Sequence, residues 1–270
     1  MTRREINTPF VADKKLLQFL DNLPDSFESG GTTLWNGRNR IKLFEISATM
    51  PDATPRLMVV KCFKHPNFVQ QIGYAFSTHK ACRAYRNGLE LIRRGFVTPC
   101  PIAFVEKRGC CRCVEDAYYI CEPTDLSCIE GETDRDDWNH ALAKDFAAYV
   151  AALHKRGVLH HDLNDTNVLY RKSPDGGYTF EVIDINRMKF FAEGAEIPFK
   201  ERVENLTRFT GRIDLFEYVA REYFKTLGVR DLENEVALAV SQKLLHDRRW
   251  RRRKALCHPF RKQRNKNKTT

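Results

Sequence analysis

The sequence predicts an α+β protein in two parts, an antiparallel sheet carrying one helix followed by a mainly helical half. Three observations predict it. Short strand-like apolar runs, interrupted by a single helical pattern, fill the chain from Thr32 to Glu122. From Asp136 onward, apolar residues recur mostly at helical spacing. The 270 residues are 42% hydrophobic, with 18 Phe and 9 Tyr, ample for the core of one two-part domain or of two small domains.

Residues 1–29 are mixed and polar, with a short helical pattern at Leu16, Leu17, Phe19 and Leu20, and are expected to be an N-terminal extension. Runs at Thr32–Asn36 and Ile41–Ile46, joined by Gly37-Arg38-Asn39-Arg40, predict a hairpin with a glycine at its tip. Leu57–Phe63 is a short apolar run containing a lysine and reads as a buried strand. Phe76 to Arg94 has helical periodicity, with Ala81, Ala84, Tyr85, Gly88, Leu89 and Ile92 on one face and Gly95 as a stop. After the turn Thr98-Pro99-Cys100-Pro101, strands are expected at Ile102–Glu106 and Ala117–Cys121.

The composition changes near Pro123. Trp138, Leu142, Phe146, Tyr149, Val150 and Leu153 mark a long amphipathic helix over Asp136–Arg156. A hairpin turning at Gly176-Gly177 follows, ending in Phe180–Asp184. Helical spacing returns beyond Asp214, at Leu215, Tyr218, Val219, Tyr223 and Phe224, then at Val236, Ala239, Val240, Leu244 and Leu245. The expected divisions are the extension 1–29, a sheet-plus-helix part 30–122, a mainly helical part 123–247 and a basic tail 248–270.

The net charge of +10 is concentrated at one end. From Arg248 onward there are eleven Lys or Arg and no acid, which leaves the other 247 residues near −1. Such a block reads as an arm that meets polyanions. No run of about 18 apolar residues suggests a membrane span, and the first fifteen residues do not resemble an export signal. The nine cysteines are therefore read as reduced thiols of a cytoplasmic protein. The cluster Cys110, Cys111 and Cys113 has no matching pair at zinc spacing and reads as a hairpin rather than a metal site.

The chemistry is concentrated in His160-His161-Asp162-Leu163-Asn164-Asp165-Thr166-Asn167, which fits H-x-D-L-x-x-x-N, the catalytic loop of protein kinases and their relatives. In such a loop Asp162 would accept or orient the proton of an attacking hydroxyl, and Asn167 would hold a metal ion on the ATP phosphates. A polar turn with Asp and Asn as caps is the alternative reading of these residues alone. Twenty-two residues beyond Asp162, Asp184 closes the apolar run Val182-Ile183, the place of the main magnesium ligand in such folds. Upstream, Val59-Val60-Lys61 is similar to the strand whose lysine contacts the α- and β-phosphates. Asp162, Lys61 and Asn167 are thus the candidate catalytic residues, and Asn167 and Asp184 the candidate ligands of Mg2+.

With Tyr85-Arg86-Asn87-Gly88-Leu89, Gly95, Thr98-Pro99-x-Pro101-Ile102-Ala103 and Asp184-Ile185-Asn186-Arg187-Met188, the chain resembles the bacterial lipopolysaccharide kinases, which modify Kdo and heptose of the endotoxin core. Asn36-Gly37-Arg38-Asn39 and Val59–Lys64 look like that family too, so the likeness runs from about residue 30 to 255. It implies a bilobal protein-kinase-like fold, ATP and Mg2+, and transfer of the γ-phosphate to a sugar hydroxyl of a glycolipid. It also implies work at the cytoplasmic face of the inner membrane, which the basic tail with Trp250 would suit by meeting anionic lipid. A solvated helix end and a nucleic-acid contact are further readings of the tail.

The chain departs from kinase patterns in places. There is no G-x-G-x-x-G loop, so only Gly30, Gly31 and Gly37 are available to cover phosphates, Gly37 from the hairpin tip. The backbone of Cys121-Glu122-Pro123 is expected to meet adenine, which makes Glu122 a nucleotide-binding candidate. Asn186 stands where protein kinases have the glycine after the metal-binding Asp, and Asn tolerates left-handed backbone. Arg86 occupies a position where relatives carry an acid, which leaves Glu90 as a candidate partner for Lys61 or for nearby arginines. His160 is expected to brace the loop through a backbone hydrogen bond. These departures keep two alternatives open, a pseudokinase scaffold and a kinase for another small-molecule or protein hydroxyl.

Overall fold

The computed structural model describes residues 1–46, 55–65, 78–109, 113–174 and 176–257. The chain forms two compact units, Met1–Ser127 with Glu181–Lys189, and Cys128–Phe180 with Phe190–Thr270.

The first unit is built on a six-stranded sheet of β1 (Thr2–Ile6), β2 (Thr32–Asn36), β3 (Arg40–Ile46), β4 (Arg56–Cys62), β5 (Pro101–Arg108) and β6 (Val114–Cys121). Their order is β1-β5-β6-β4-β3-β2, and each described pairing is antiparallel. The first 29 residues are not an appendage. β1 pairs with β5 from Thr2↔Lys107 to Ile6↔Ala103. Helices α1 (Lys14–Asp21) and α2 (Asp25–Ser29) follow, α1 capped by Asp13, whose side chain accepts the Leu16 N–H at 3.1 Å. Leu16, Leu20, Leu23 and Phe27 are buried in one cluster with Phe44, Val60, Tyr118 and Ile120. Full burial of each such side chain stabilises by about 1.5–3 kcal/mol, so these helices close one face of the sheet. The sequence reading missed this because the apolar positions come from three separate short pieces.

Helix α3 spans Lys80–Arg93. Its expected first residue, Phe76, lies outside the described residues. His79 caps it, Nδ1 accepting the Ala81 N–H at 3.3 Å, and the chain leaves it through Gly95 at φ 83°. Ala81, Ala84, Tyr85 and Gly88 are buried as expected, whereas in the last turn Leu91 is buried and Ile92 exposed. A Cβ on Gly88 would stand 2.5 Å from Pro101 Cγ and 3.1 Å from Ile185 Cδ1, so this glycine permits close packing of helix on chain. In the β5–β6 hairpin the Gly109 N–H donates to the Cys113 carbonyl at 3.0 Å. Cys110 and Cys111 lie outside the described residues, among which no metal-binding cluster occurs.

The second unit contains short strands β7 (Ser127–Cys128), β8 (Val158–Leu159), β9 (Val168–Lys172), β10 (Tyr178–Val182) and β11 (Lys189–Phe190), in the sheets β10-β9-β7 and β11-β8, with β10 and β11 running into and out of the segment that joins the first unit. Helices α4 (Glu130–Thr133), α5 (His140–Lys155), α6 (Phe199–Leu206), α7 (Ile213–Leu227) and α8 (Leu232–Cys257) make up most of it. Asn139 caps α5, accepting the Leu142 N–H at 3.0 Å, which starts the helix later than Asp136. Phe146 stacks on Phe209 with centroids 4.1 Å apart, and α7 buries Leu215, Phe216, Val219, Ala220, Tyr223 and Phe224. On α8 the buried positions are Val236, Ala239 and Lys243, while Leu244 and Leu245 are half exposed, again a departure in the later turns. Arg248–Lys254, expected in an arm or a solvated helix end, are the exposed last turns of this helix. No helix among the described residues is long and apolar enough to cross a membrane.

Candidate active site

Lys61 sits in the middle of the sheet, on β4 opposite Ile41 of β3 and Tyr119 of β6. Its Nζ donates to Asp184 Oδ1 at 2.7 Å, a pair formed within the first unit across 123 positions of sequence. The ammonium also lies 5.3 Å from the Phe63 ring centroid.

Asp184 reaches Lys61 because its own segment is clamped. Before it, the Thr98 hydroxyl donates to the Val182 carbonyl at 2.7 Å. After it, Asn87 Nδ2 on α3 donates to the Ile185 carbonyl at 2.7 Å, and Gly88 lets Ile185 approach the helix. Between these clamps Asp184 has φ 54°, a left-handed conformation that disfavours a non-glycine residue by about 1–2 kcal/mol. Asn186, which tolerates left-handed backbone, lies in a short 3-10 turn, and the left-handed residue of this segment is Asp184. The Asn186 side chain serves differently, its Nδ2 donating to Asp184 Oδ1 at 2.6 Å. Sequence reasoning had singled out Asn87, Thr98 and Asn186 without assigning these bonds to them.

Glu90 is not the partner of Lys61. It accepts from Arg93 at 2.7 and 2.8 Å and from Arg94 at 2.7 Å. The Arg93 hydrogen bond, opposed by burial and reinforced by Arg94, holds its carboxyl near 2. Helical spacing explains the choice, since residues three and four further on are its neighbours on α3. Arg86 pairs with Glu5 of β1, an acid the sequence reading had not connected to it.

Gly37 lies between β2 and β3, its N–H donating to the Asn39 carbonyl at 3.3 Å. A Cβ there would fall 2.5 Å from Trp35 Nε1. The Glu122 N–H donates to the Cys100 carbonyl at 2.9 Å, so that donor is already engaged.

In the second unit Asp162 and Asn167 share one loop. His160 is fully buried, and its carbonyl accepts the Asp162 N–H at 2.8 Å. His161 has φ 53°; with Asp184 it completes the positive-φ non-glycine residues among those described. Such outliers gather at functional sites, where surrounding contacts over-determine them. Asn164 organises the turn, its Oδ1 accepting the Asn167 N–H at 3.0 Å and the Thr166 hydroxyl at 2.7 Å. Asn167 Nδ2 donates back to the Asp162 carbonyl at 2.9 Å. A carbonyl acceptor requires the amide nitrogen on that side, which fixes Oδ1 as the outward atom. Arg208, which no sequence motif marked, places Nη1 3.4 Å from Asp162 Oδ1. Asp165 carries a raised pKa, from burial first and then from Glu130 and Asp134.

The profile of the "Lipopolysaccharide kinase (Kdo/WaaP) family" matches residues 67–227. A solved structure described as "WaaP in complex with acyl carrier protein" superposes with a TM-score of 0.55 at 18% identity, covering 89% of this chain and 98% of that one. The Rio2 kinase of Chaetomium thermophilum, solved as an ADP/Mg2+-phosphoaspartate complex, gives a TM-score of 0.44 at 13% identity, covering 80% of this chain and 71% of that one. No curated protein matches the sequence. The fold is protein-kinase-like, and the chain is a kinase that belongs to the lipopolysaccharide kinase (Kdo/WaaP) family.

Proposed function

We propose that this kinase moves the γ-phosphate of ATP to a sugar hydroxyl of the lipopolysaccharide core, on Kdo or heptose. The observation that carries the reading is the Lys61–Asp184 pair, because this chemistry needs a fixed cation and a carboxylate near one polyphosphate. Lys61 would bind phosphate oxygens. Asp162 would accept the proton of the acceptor hydroxyl, and Arg208 would keep its carboxylate in one rotamer. Gly37 would lie over the phosphates. Glu122 would meet adenine through its carbonyl, its N–H being engaged by Cys100.

The donor chemistry fits magnesium. Asp184 offers a carboxylate and Asn167 the outward amide oxygen set by its bond to Asp162. Hard oxygen donors completed by phosphate and water are what Mg2+ takes. When bound, it would neutralise charge developing on the transferred group.

The purified protein, ATP and dephosphorylated core oligosaccharide are expected to give a glycan heavier by one phosphate in mass spectrometry. Core glycan from cells lacking the protein should lose that phosphate; an unchanged glycan would remove this acceptor assignment. We also propose that Arg248–Lys254, with Trp250, hold the enzyme peripherally on an anionic membrane at its cytoplasmic face. Pelleting with anionic but not neutral vesicles, weakened by salt, is the expected result, and binding to RNA but not to anionic lipid would defeat it.

A further inference from the structure

The sequence lacks the glycine-rich loop that wraps phosphates in many kinases, yet one end of the first unit gathers cations. Lys80 and Arg83 open α3, whose first turn contains no acid. That is the reverse of what a helix dipole favours. The capping His79 adds no charge, because burial, then Lys80, Arg108 and Arg83, push its pKa down to about 3. Lys80 precedes Asn87 by seven residues, two turns along the same face of α3. Asn87 holds the Ile185 carbonyl, so this face of the helix is the one turned to the Asp184–Arg187 segment.

Arg38 belongs to the sheet. It lies at the β2–β3 tip between Gly37 and Asn39, and Asn39 Oδ1 accepts the Lys64 N–H at 3.2 Å. This bond ties the tip to the chain just past β4, three residues beyond Lys61.

We infer that Arg38, Lys80, Arg83 and Arg187 form a cationic seat for the triphosphate of the nucleotide, beside Lys61 and Asp184, and take over the task of the missing glycine-rich loop. The inference rests on the kinase reading. The field at Lys80 supports it: burial first, then Arg38, Arg187 and Arg83, hold its pKa below the ordinary value, while Asp184 acts in the opposite sense. Among the described residues, Arg38, Lys80 and Arg83 have no ion-pair partner, and Asp184 is already bonded to Lys61. Residues 66–77, which lead into α3, contain no Asp or Glu. Like charges gathered within a Debye length repel one another unless an anion joins them. Guanidinium and ammonium groups are the side chains that bind phosphate oxygens through charge-assisted hydrogen bonds. A phosphate on the glycan acceptor has the same chemistry; the position of the cluster in the unit that holds Lys61 and Asp184 favours the nucleotide.

The test is calorimetric titration of the full chain with magnesium-ATP, with adenosine and with phosphorylated core oligosaccharide. Wild type is compared with Arg38→Gln and Lys80→Gln, and thermal unfolding verifies that each variant folds. Each substitution is expected to weaken ATP binding about tenfold, as for one lost charge-assisted contact, with adenosine binding unchanged. Unchanged ATP affinity and KM in both variants, with transfer retained, would overturn the seat and leave the kinase reading standing. Weaker glycan binding with ATP binding intact would also overturn it, by assigning the cations to the acceptor. A wild-type protein that neither binds ATP nor transfers phosphate would remove the underlying reading and the seat with it.

Discussion

Asp162 and Asp184 are held by different means. Asp184 is in a left-handed backbone conformation between two clamps, Thr98 to Val182 and Asn87 to Ile185. Asp162 follows left-handed His161 and is stitched to Asn167 by a bond from amide to carbonyl. The Asp162 carboxylate touches a half-exposed arginine at the rim of its loop. We therefore expect Asp162→Ala to lose about 10²–10⁴-fold in transfer rate while its urea midpoint stays at the wild-type value. An unfolded variant, or one with unchanged turnover, would contradict the assigned role. The motif around Asp162 was legible because residue types and spacing alone define it. Arg208 was not, since nothing local to it signals a contact 46 residues away. Glu90 stayed open between Lys61 and nearby arginines because the sequence shows its neighbours on α3 but not the approach of β4; the pair with Arg94 is the alternative that holds.

At the scale of elements, the strands β2 to β6 were legible nearly to their ends, because apolar runs bounded by Gly, Pro and Asn leave few options. The short helical pattern at Leu16–Leu20 corresponds to α1, whereas β1 and α2 were not legible, because each is too short to show a period. The inward faces of α3 and α8 agree with expectation in their early turns and differ in the last ones, at Ile92 and at Leu244 and Leu245, because residue type alone misassigned the buried position. On α8 the misleading residue is Lys243. Its Nζ donates to the carbonyls of Thr207 and Thr210 and to Asp247 at 2.8 Å, a buried lysine with three acceptors. It fastens α8 to the turn that carries Arg208. Lys243→Met leaves those carbonyls without their donor inside the unit, and should lower the unfolding free energy by about 3–5 kcal/mol in urea titrations. A loss below about 1 kcal/mol would show that water replaces the ammonium.

For the molecule as a whole, acid sensitivity follows from a buried histidine. His154 Nε2 lies 2.9 Å from Asn205 Oδ1 and Nδ1 2.7 Å from the Tyr223 hydroxyl. Oδ1 can only accept, so Nε2 carries the proton and the hydroxyl donates to Nδ1. Burial, with Arg202 adding to it and the Asn205 bond opposing, lowers the pKa from 6.5 to about 4. Above pH 6.5 the full contribution to stability is present. Between 6.5 and about 4 the unfolded chain takes up a proton that the folded one refuses. Stability then falls by about 3 kcal/mol and levels off below that range. Unfolding free energies measured from pH 7 to pH 4 should show this slope together with that of buried His79, whose pKa is pushed down to about 3, and His154→Gln should make it shallower by the His154 share. An identical slope in the variant would assign the effect elsewhere.

The path of the backbone through the two units bears on how the protein is made. The first unit takes its last segment, Glu181–Lys189, from beyond the whole stretch Cys128–Phe180. A nascent chain that has emerged only as far as Ser127 holds six strands but not the aspartate that meets Lys61, nor the carbonyls sought by Thr98 and Asn87. Translation must therefore proceed past Lys189 before the lysine-bearing sheet can be completed, and no contiguous fragment ending at Ser127 can be expected to behave as a self-sufficient piece.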